Sequence, residues 1–458
     1  MTDGNPSFQA GKGRNYRGRQ PGVKPACHPR HPVASVRGPS AHGHEHLLDN
    51  QPVPAHNQAV TEAADIVVLG AGISGLTFAH HLAHAGQRVL ILESASQAGG
   101  CVHSERQPEG FWFEMGAHTL YNSYGSLLAI IDDLGLRDRM QKRTKVPFRL
   151  LVDGQIRSIP SQLNLRELFL SAWHAFSERK QGQSVADYYS KLVGRHNYQK
   201  VFSPLFAAVP SQSVDGFPAE VLFKKRARRK DTPRSYTFVG GLQTLIDGLA
   251  CQPSVTVRTL AEVTALARAE GGFMLTVKNK DRLLARNVAL AIPPPQAASL
   301  LAPIFPSLAE ALQRIRTSAI ESVGVVVESA DLTMPRLMGL VPINDCFFSM
   351  VTRDVVPHQN LRALTFHFRA GLPLERRLDR ICAVTGLDRS RFRCLVTHHA
   401  SLPALAMGHT DTTREIDRHL PTQGLYLTGN YFGGLSIEDC SLRSRQEAER
   451  FLATTRSA

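Results

Sequence analysis

The sequence predicts an α/β protein, α+β overall, with two domains, one of them a Rossmann-type domain that is discontinuous in the chain. Three observations predict this fold. A strand–helix–strand pattern begins at Ala64, short strand-like runs follow between residues 255 and 292, and a last strand at 424–428 leads into a terminal helix. At 458 residues the chain has room for two packed domains and a tail.

The strand–helix–strand pattern contains a glycine-rich turn. Residues 65–69 form an apolar run typical of a buried parallel strand, residues 73–85 have helical spacing, and residues 88–93 form a second strand. The turn reads G-x-G-x-x-G and consists of Gly70, Ala71, Gly72, Ile73, Ser74 and Gly75. Glycines here permit a tight turn and let the backbone approach a pyrophosphate, which the N–H groups of the helix N-terminus attract.

An acidic residue completes this pattern. Glu93 closes the second strand, 18 positions after Gly75, and Ser94 follows it. A carboxylate at this place accepts hydrogen bonds from ribose hydroxyls. Because strand, glycine turn, helix and acid occur together, the sequence predicts a dinucleotide-binding site.

Three further segments favour FAD over NAD as the dinucleotide. They comprise Gly99 and Gly100, then Gly116, Ala117, His118 and Thr119, and finally Gly429, Asn430, Leu435, Ser436 and Ile437. In the last segment a strand returns to a helix, and Ser436 is placed as the N-cap of that helix. A second helix N-terminus facing the cofactor suits the negative charge that develops on a reduced isoalloxazine, and ordinary NAD dehydrogenases do not need it.

At these residues the chain resembles the flavin-dependent amine oxidase superfamily, and within it the protoporphyrinogen oxidase branch, over about residues 64–453. The motifs that carry the resemblance are Phe113–Ala117, Gly240–Leu242, Gly429-Asn430 and Glu438–Cys440. The resemblance implies a GR2/amine-oxidase-like fold and an adenine contact from Val263. Two residues depart from the branch: Gln97 stands near where it has an arginine, and Ser444 stands where it has a glycine.

The resemblance also implies the chemistry. It implies hydride transfer from a porphyrinogen or a related amine-type substrate to FAD, with reoxidation by oxygen or another acceptor. The FAD is expected to be non-covalent, because no Ser-Gly-Cys linking motif occurs. Two alternatives stay open: a carotenoid or amine-type desaturase or oxidase, and a reduced-flavin mutase resembling UDP-galactopyranose mutase. No catalytic residue is assigned, no metal site is expected, and Asp439 is attributed to helix capping.

The predicted domains alternate along the chain. They are a disordered basic Gly/Pro/His-rich tail at 1–62, the FAD-binding domain at 63–145, 240–300 and 408–458, a helical substrate- or membrane-facing part at 146–239, and a substrate-domain sheet at 301–407. A translation start downstream of Met1 is an alternative explanation for the tail.

Charge and cysteine usage limit the partners. The net charge is +14, and its main internal concentration is the run Lys224–Lys230, which has no interleaved aromatic residues, so nucleic acid is not expected. This run is interpreted either as a solvated surface or as a contact for anionic lipids or an acidic substrate. The seven cysteines are scattered, which predicts a cytoplasmic protein, peripheral at most on the inner membrane face, acting on a small molecule. The oligomeric state stays open.

Overall fold

The computed structural model describes residues 64–278 and 281–455, apart from the side chains of residues 175 and 176. The tail predicted to be disordered, residues 1–62, lies outside the described residues. The α-helices are Ile73–His84, Gly125–Asp133, Leu165–Ser171, Val185–Val193, Arg195–Asn197, Ser203–Ala207, Gln243–Ala250, Pro294–Leu301, Pro306–Gln313, Leu374–Thr385, His409–His419 and Ile437–Thr455. None of these helices is long and apolar enough to cross a membrane.

A five-stranded parallel sheet forms the first layer. Its strands, in spatial order, are Val255–Arg258, Val89–Leu92, Ile66–Leu69, Val288–Leu290 and Leu425–Leu427. Four of these strands are buried at every residue, as expected for a parallel sheet covered by helices on both faces. Because distant stretches of chain supply neighbouring strands, the predicted discontinuous Rossmann-type domain is confirmed.

A seven-stranded mixed sheet forms the second layer. Its strands, in spatial order, are Cys394–Pro403, Thr317–Glu328, Leu361–Arg369, Phe347–Thr352, Gly339–Pro342, Phe148–Val152 and Gln155–Arg157. The last two lie in the segment 146–239 that the sequence analysis treated as helical. They form a hairpin around Asp153 and Gly154, whose positive φ angles of 48° and 75° define a two-residue turn of the type that Asp-Gly favours.

Three small sheets complete the fold. They are the pair Ser104–Arg106 and Trp112–Glu114, the group Leu120–Tyr121, Ser235–Phe238 and Met140–Lys142, and the group Val263–Ala269, Gly272–Val277 and Arg282–Ala285. The strand Trp112–Glu114 contacts the seven-stranded sheet, since Phe113 packs with Val326 and Ala363 and the Thr365 hydroxyl donates to the Glu114 carbonyl at 2.8 Å. This strand therefore joins the two layers beside the candidate site.

Candidate functional site

At one position of the glycine-rich turn, Gly72, the packing of the chain does not require glycine. A Cβ on Gly75 would lie 2.0 Å from the Gly70 carbonyl oxygen, and Gly70 has a φ of +100°. These two glycines are required by the packing of the chain. A Cβ on Gly72 would meet no atom within 4 Å. The space beside Gly72 is therefore free for a ligand, as the dinucleotide prediction requires.

The predicted ribose carboxylate lies beside this turn. Glu93 accepts the backbone N–H of Ala71 at 2.7 Å and the N–H of Ala95 at 2.9 Å. Its carbonyl accepts the N–H of Ala261 at 2.8 Å, and Val263 begins a strand two residues further on. Ser94 is exposed, and its hydroxyl donates to Glu93 at 3.3 Å. The turn, the acid and the proposed adenine contact are thus close in space.

The second and third glycine segments adjoin the turn. Gly99 donates its N–H to the Ala71 carbonyl at 2.9 Å, and a Cβ on Gly100 would lie 3.5 Å from the Cα of Gly72. A Cβ on Gly116 would lie 2.3 Å from the Cys101 carbonyl oxygen, which also accepts the N–H of Ala117 at 3.0 Å. Segments that are separate in sequence therefore form one continuous backbone surface.

The segment that leads from the last strand into the last helix also lies beside the glycine turn. Ser436 accepts the backbone N–H of Asp439 at 3.1 Å, which confirms the predicted N-cap, and its hydroxyl donates to the Asp439 carboxylate at 2.5 Å. Ser444 donates its hydroxyl to the Ser74 carbonyl at 2.7 Å and lies 2.8 Å from the Thr428 hydroxyl. The serine that departs from the resembling branch thus joins the terminal helix to the glycine-turn helix.

The loop between the last strand and the last helix has its own support. The His409 imidazole donates from Nε2 to the Tyr431 carbonyl at 2.6 Å, and this hydrogen bond holds the loop in position. Asn430 and Leu435 are half-buried in this loop, and Ile437 is buried where the helix begins.

Asp439 has partners that the sequence analysis missed. Lys224 lies 2.9 Å and Arg226 lies 2.8 Å from its Oδ1 atom. Burial raises the pKa of Asp439, but the hydrogen bond from Ser436 and the charges of Lys224 and Arg226 outweigh burial and hold this pKa below its ordinary value. No local pattern could indicate these pairs, because more than 200 residues separate the partners in sequence.

The basic run is therefore not uniformly solvated. Lys224 and Arg226 are half-buried against Asp439, and Arg229 pairs with Asp132 and Asp231. The remaining cations of the run are exposed, and they are Lys225, Arg228 and Lys230. This alternation is what an extended segment lying along a surface produces.

A pocket lies where Trp112–Glu114, the loop containing His118 and the seven-stranded sheet meet. Its lining includes two arginines that the sequence analysis did not single out, Arg143 and Arg353. Arg143 is 6% exposed and donates to the Thr119 hydroxyl, while its Nε has no partner. Arg353 lies over the rings of Phe111 and Trp112, and its Nε is also buried without a partner. Among the described residues, neither guanidinium forms an ion pair with a carboxylate.

Two other titratable groups line this pocket. Burial raises the pKa of Glu114 to about 7, against the hydrogen bonds from Ser104 at 2.6 Å and from the N–H of Leu242 at 2.9 Å. Burial, together with the charge of Arg143, lowers the pKa of His118 to about 3. Near neutral pH the histidine is uncharged and the acid is only partly ionised, so the pocket carries net positive charge and suits an anionic group.

Comparison with known proteins decides the family. A family model described as flavin containing amine oxidoreductase matches residues 73–360. The chain belongs to this family. The resemblance predicted from the sequence is thereby confirmed, and the protein is an oxidoreductase that uses a flavin cofactor.

Two kinds of curated protein are among those that match this flavin-containing amine oxidoreductase. Protoporphyrinogen oxidase of Bos taurus is 25% identical over 480 aligned residues, which cover 85% of this chain and 98% of the relative. The 15-cis-phytoene desaturase of Narcissus pseudonarcissus is 36% identical over 77 residues, which cover 17% of this chain. This local match spans only 14% of the length of the desaturase.

Two solved structures of similar fold align with this chain over nearly their whole length. A protein of Exiguobacterium sp. 255-15, provisionally named protoporphyrinogen oxidase, is 19% identical with a TM-score of 0.69, over 85% of this chain and 98% of its own. Cyclohexylamine oxidase from Brevibacterium oxydans is 16% identical with a TM-score of 0.62, over 86% and 99%. These likenesses confirm the predicted two-domain α/β fold.

In this flavoenzyme the predicted residues converge. The glycine turn, Gly99-Gly100, the loop 116–119 and the return through Ser436 are linked to one another by backbone or serine hydrogen bonds. Val263 begins a strand two residues after Ala261, whose N–H donates to the Glu93 carbonyl. Contacts between individual residues and the flavin stay predictions. The two arginines were missed because an arginine at an isolated position has no sequence pattern that marks it as buried.

Proposed function

We propose that the protein is a protoporphyrinogen-oxidase-like enzyme that binds FAD non-covalently and oxidises a porphyrinogen or a related cyclic substrate that carries carboxylates. The match to a protoporphyrinogen oxidase over 85% of this chain supports the branch. The free space beside Gly72 and the carboxylate of Glu93 suit a dinucleotide. When bound, the flavin supplies a two-electron acceptor for a C–H bond next to nitrogen, and oxygen or another acceptor reoxidises it.

The observation that carries the substrate class is the pair of buried arginines. Arg143 and Arg353 leave guanidinium N–H donors unpaired in the pocket, and a substrate carboxylate would satisfy them. A cationic amine would be repelled there, and an apolar carotenoid would leave both charges without a partner, which is costly in a buried site. A porphyrinogen, with its propionate side chains, is the superfamily substrate that this charge suits.

The protein's own groups would then position the substrate. The Thr119 hydroxyl holds the guanidinium of Arg143 beside His118, in the loop that adjoins the glycine segments. The strand Trp112–Glu114 and the seven-stranded sheet close the pocket on the other sides, which limits access of water. A carboxylate bound to Arg143 would fix the macrocycle relative to this loop.

The test begins with the visible spectrum of the purified protein. Protoporphyrinogen IX or coproporphyrinogen III is then added in air, and porphyrin fluorescence is compared with the autoxidation control. A yellow protein that produces porphyrin faster than the control supports the proposal. A yellow protein that is inert to both but acts on phytoene or an amine, or that acts only after reduction with dithionite as a mutase would, contradicts the substrate. A colourless protein that FAD cannot reconstitute contradicts the cofactor.

The role of the arginines has a separate test. Arg143→Gln should raise KM for a porphyrinogen about 10- to 100-fold, the loss of one charge-assisted hydrogen bond, while kcat changes little. The dimethyl ester of the same substrate lacks the charge and should show no such difference between the two enzymes. Arg195→Gln, on an exposed helix, is the control variant. An equal effect on acid and ester would mean that Arg143 is structural.

Peripheral membrane association is part of the proposal. Leu165, Phe169, Leu170 and Trp173 are each at least 62% exposed, and Lys225, Arg228 and Lys230 supply exposed positive charge. Exposed apolar side chains together with exposed cations suit the inner, anionic face of a membrane in the cytoplasm. Replacing the three exposed cations by Gln should weaken binding to phosphatidylserine vesicles but not to neutral ones. Replacing Lys224 and Arg226, which are paired with Asp439, should weaken lipid binding less.

A further inference from the structure

A cluster of metal-ligand side chains lies towards the C-terminal end of the helix that begins in the glycine turn. His80 and His84 are one turn apart on the helix Ile73–His84, so they lie on the same face, and Asp133 ends the neighbouring helix Gly125–Asp133. One ligand atom from each of these three residues lies within 4.8 Å of the other two. His80 is buried, whereas His84 and Asp133 are exposed, so the cluster opens to solvent.

Gln252 determines which nitrogen of His80 faces the cluster. Its side-chain amide donates to the Leu249 carbonyl at 2.8 Å, which orients the Oε1 atom of Gln252 towards His80. That oxygen lies 2.9 Å from Nδ1 of His80, so Nδ1 must carry the proton. Nε2 is therefore the nitrogen that faces Asp133, in the arrangement that second-shell partners give to metal-binding histidines.

The distance between His80 and Asp133 suits a metal better than a hydrogen bond. Nε2 of His80 lies 3.4 Å from Oδ2 of Asp133. A charge-assisted hydrogen bond would be about 2.7–2.9 Å long. Two ligands of a tetrahedral zinc ion, with bonds of about 2.0–2.1 Å, lie about 3.3–3.4 Å apart. An imidazole nitrogen and a carboxylate oxygen at this separation can both coordinate one cation.

We propose that His80, His84 and Asp133 bind one Zn²⁺ ion, with Gln252 orienting His80 and water as the fourth ligand. Two imidazoles and a carboxylate are ligands that zinc prefers. The ion would connect the ends of two helices of the dinucleotide-binding domain, and one of these helices carries the glycine turn at its other end. It would therefore act on stability and not on the flavin chemistry. No metal site was predicted from the sequence, although the spacing of His80 and His84, four residues apart, is a pattern that indicates one.

Zinc titration of the tag-free, chelator-treated full chain tests this site. All proteins carry His42→Gln, His44→Gln and His46→Gln, so that this closely spaced group of N-terminal histidines does not contribute. Calorimetry should find one Zn²⁺ per chain in this background and in the control His196→Ala, which changes an exposed histidine elsewhere. His84→Ala and Asp133→Asn change exposed side chains, and each should weaken binding at least about 10-fold.

Two further measurements separate a built site from surface binding. Gln252→Leu leaves all three ligands in place and should still weaken Zn²⁺ binding about 10- to 100-fold. Zn²⁺ should also raise the unfolding temperature of the control but not of His84→Ala, because it binds only the folded state. The proposal is overturned if no Zn²⁺ binds, or if His84→Ala and Gln252→Leu bind it as tightly as the control. None of these readouts depends on the porphyrinogen assay.

Discussion

Gly72 and Gly75 belong to one turn but face different neighbours, and this difference gives a test of cofactor binding at the level of single residues. Gly75→Ala would place a Cβ 2.0 Å from the Gly70 carbonyl oxygen, so we expect the apoprotein to lose about 1–3 kcal/mol of unfolding free energy. Gly72→Ala meets no atom of the chain, and its φ of −73° is one that alanine adopts. We therefore expect unchanged apoprotein stability and FAD affinity at least about 10-fold weaker, measured by denaturant unfolding and by flavin fluorescence. If Gly72→Ala and the wild type bind FAD with equal affinity, FAD does not bind at this turn.

The carboxyl of Glu114 makes stability depend on pH in a defined direction. Its folded-state pKa of about 7 lies above the ordinary 4.5, so its contribution is fully present below pH 4.5 and is lost as the pH rises through about 7. Glu114→Gln stays neutral: its amide oxygen can accept the N–H of Leu242, and its NH2 group can donate to the Ser104 hydroxyl instead of accepting from it. The unfolding free energy of the wild type should thus fall relative to Glu114→Gln, by on the order of 3 kcal/mol, between about pH 4.5 and pH 8. A constant difference over that range would mean that Glu114 is ionised throughout.

At the scale of elements, Asp439 couples the start of the last helix to the basic run. Asp439→Asn would leave Lys224 and Arg226 half-buried without a counter-charge, so we expect a loss of about 1–3 kcal/mol of unfolding free energy. Ser436→Ala removes the cap and the hydroxyl's bonds to Asp439 and Arg226 but leaves both ion pairs of Asp439, and it should cost about 1 kcal/mol. In Lys224→Gln/Arg226→Gln, the further change Asp439→Asn should have a much smaller effect. If the loss is undiminished in that background, the acid acts through the cap and not through the cations.

How far the sequence predicted these elements depends on how local their determinants are. The glycine turn, Glu93 and the Ser436 cap depend on residues within one strand–helix unit, and their geometry could be predicted. The hairpin at Asp153-Gly154 was also a local pattern, but the helical spacing around it was given more weight. Asp439 pairs with Lys224 because segments more than 200 residues apart pack together. The unpaired donors of Arg143 and Arg353 likewise result from packing between layers of the fold. Composition and periodicity do not predict such contacts.

At the scale of the whole molecule, the flavin domain depends on both ends of the described chain. The strand Leu425–Leu427 pairs with Val288–Leu290, and the helix Ile437–Thr455 packs against Ile73–His84 through Cys440, Ala448 and Phe451. Deleting residues 424–458 should therefore expose the buried face of the glycine-turn helix, although the turn itself is intact.

We expect such a truncated protein to retain no FAD and to lose cooperative unfolding, measured by visible absorption and by thermal denaturation followed by circular dichroism. Deletion of residues 1–62, which were predicted to be disordered, is the matched control and should leave a yellow protein with an unchanged unfolding temperature. A yellow, cooperatively folded protein without residues 424–458 would show that the first strand–helix–strand unit binds the cofactor alone. The C-terminal helix would then be dispensable for cofactor binding, and its serine contacts with Ser74 would serve only the packing of the domain.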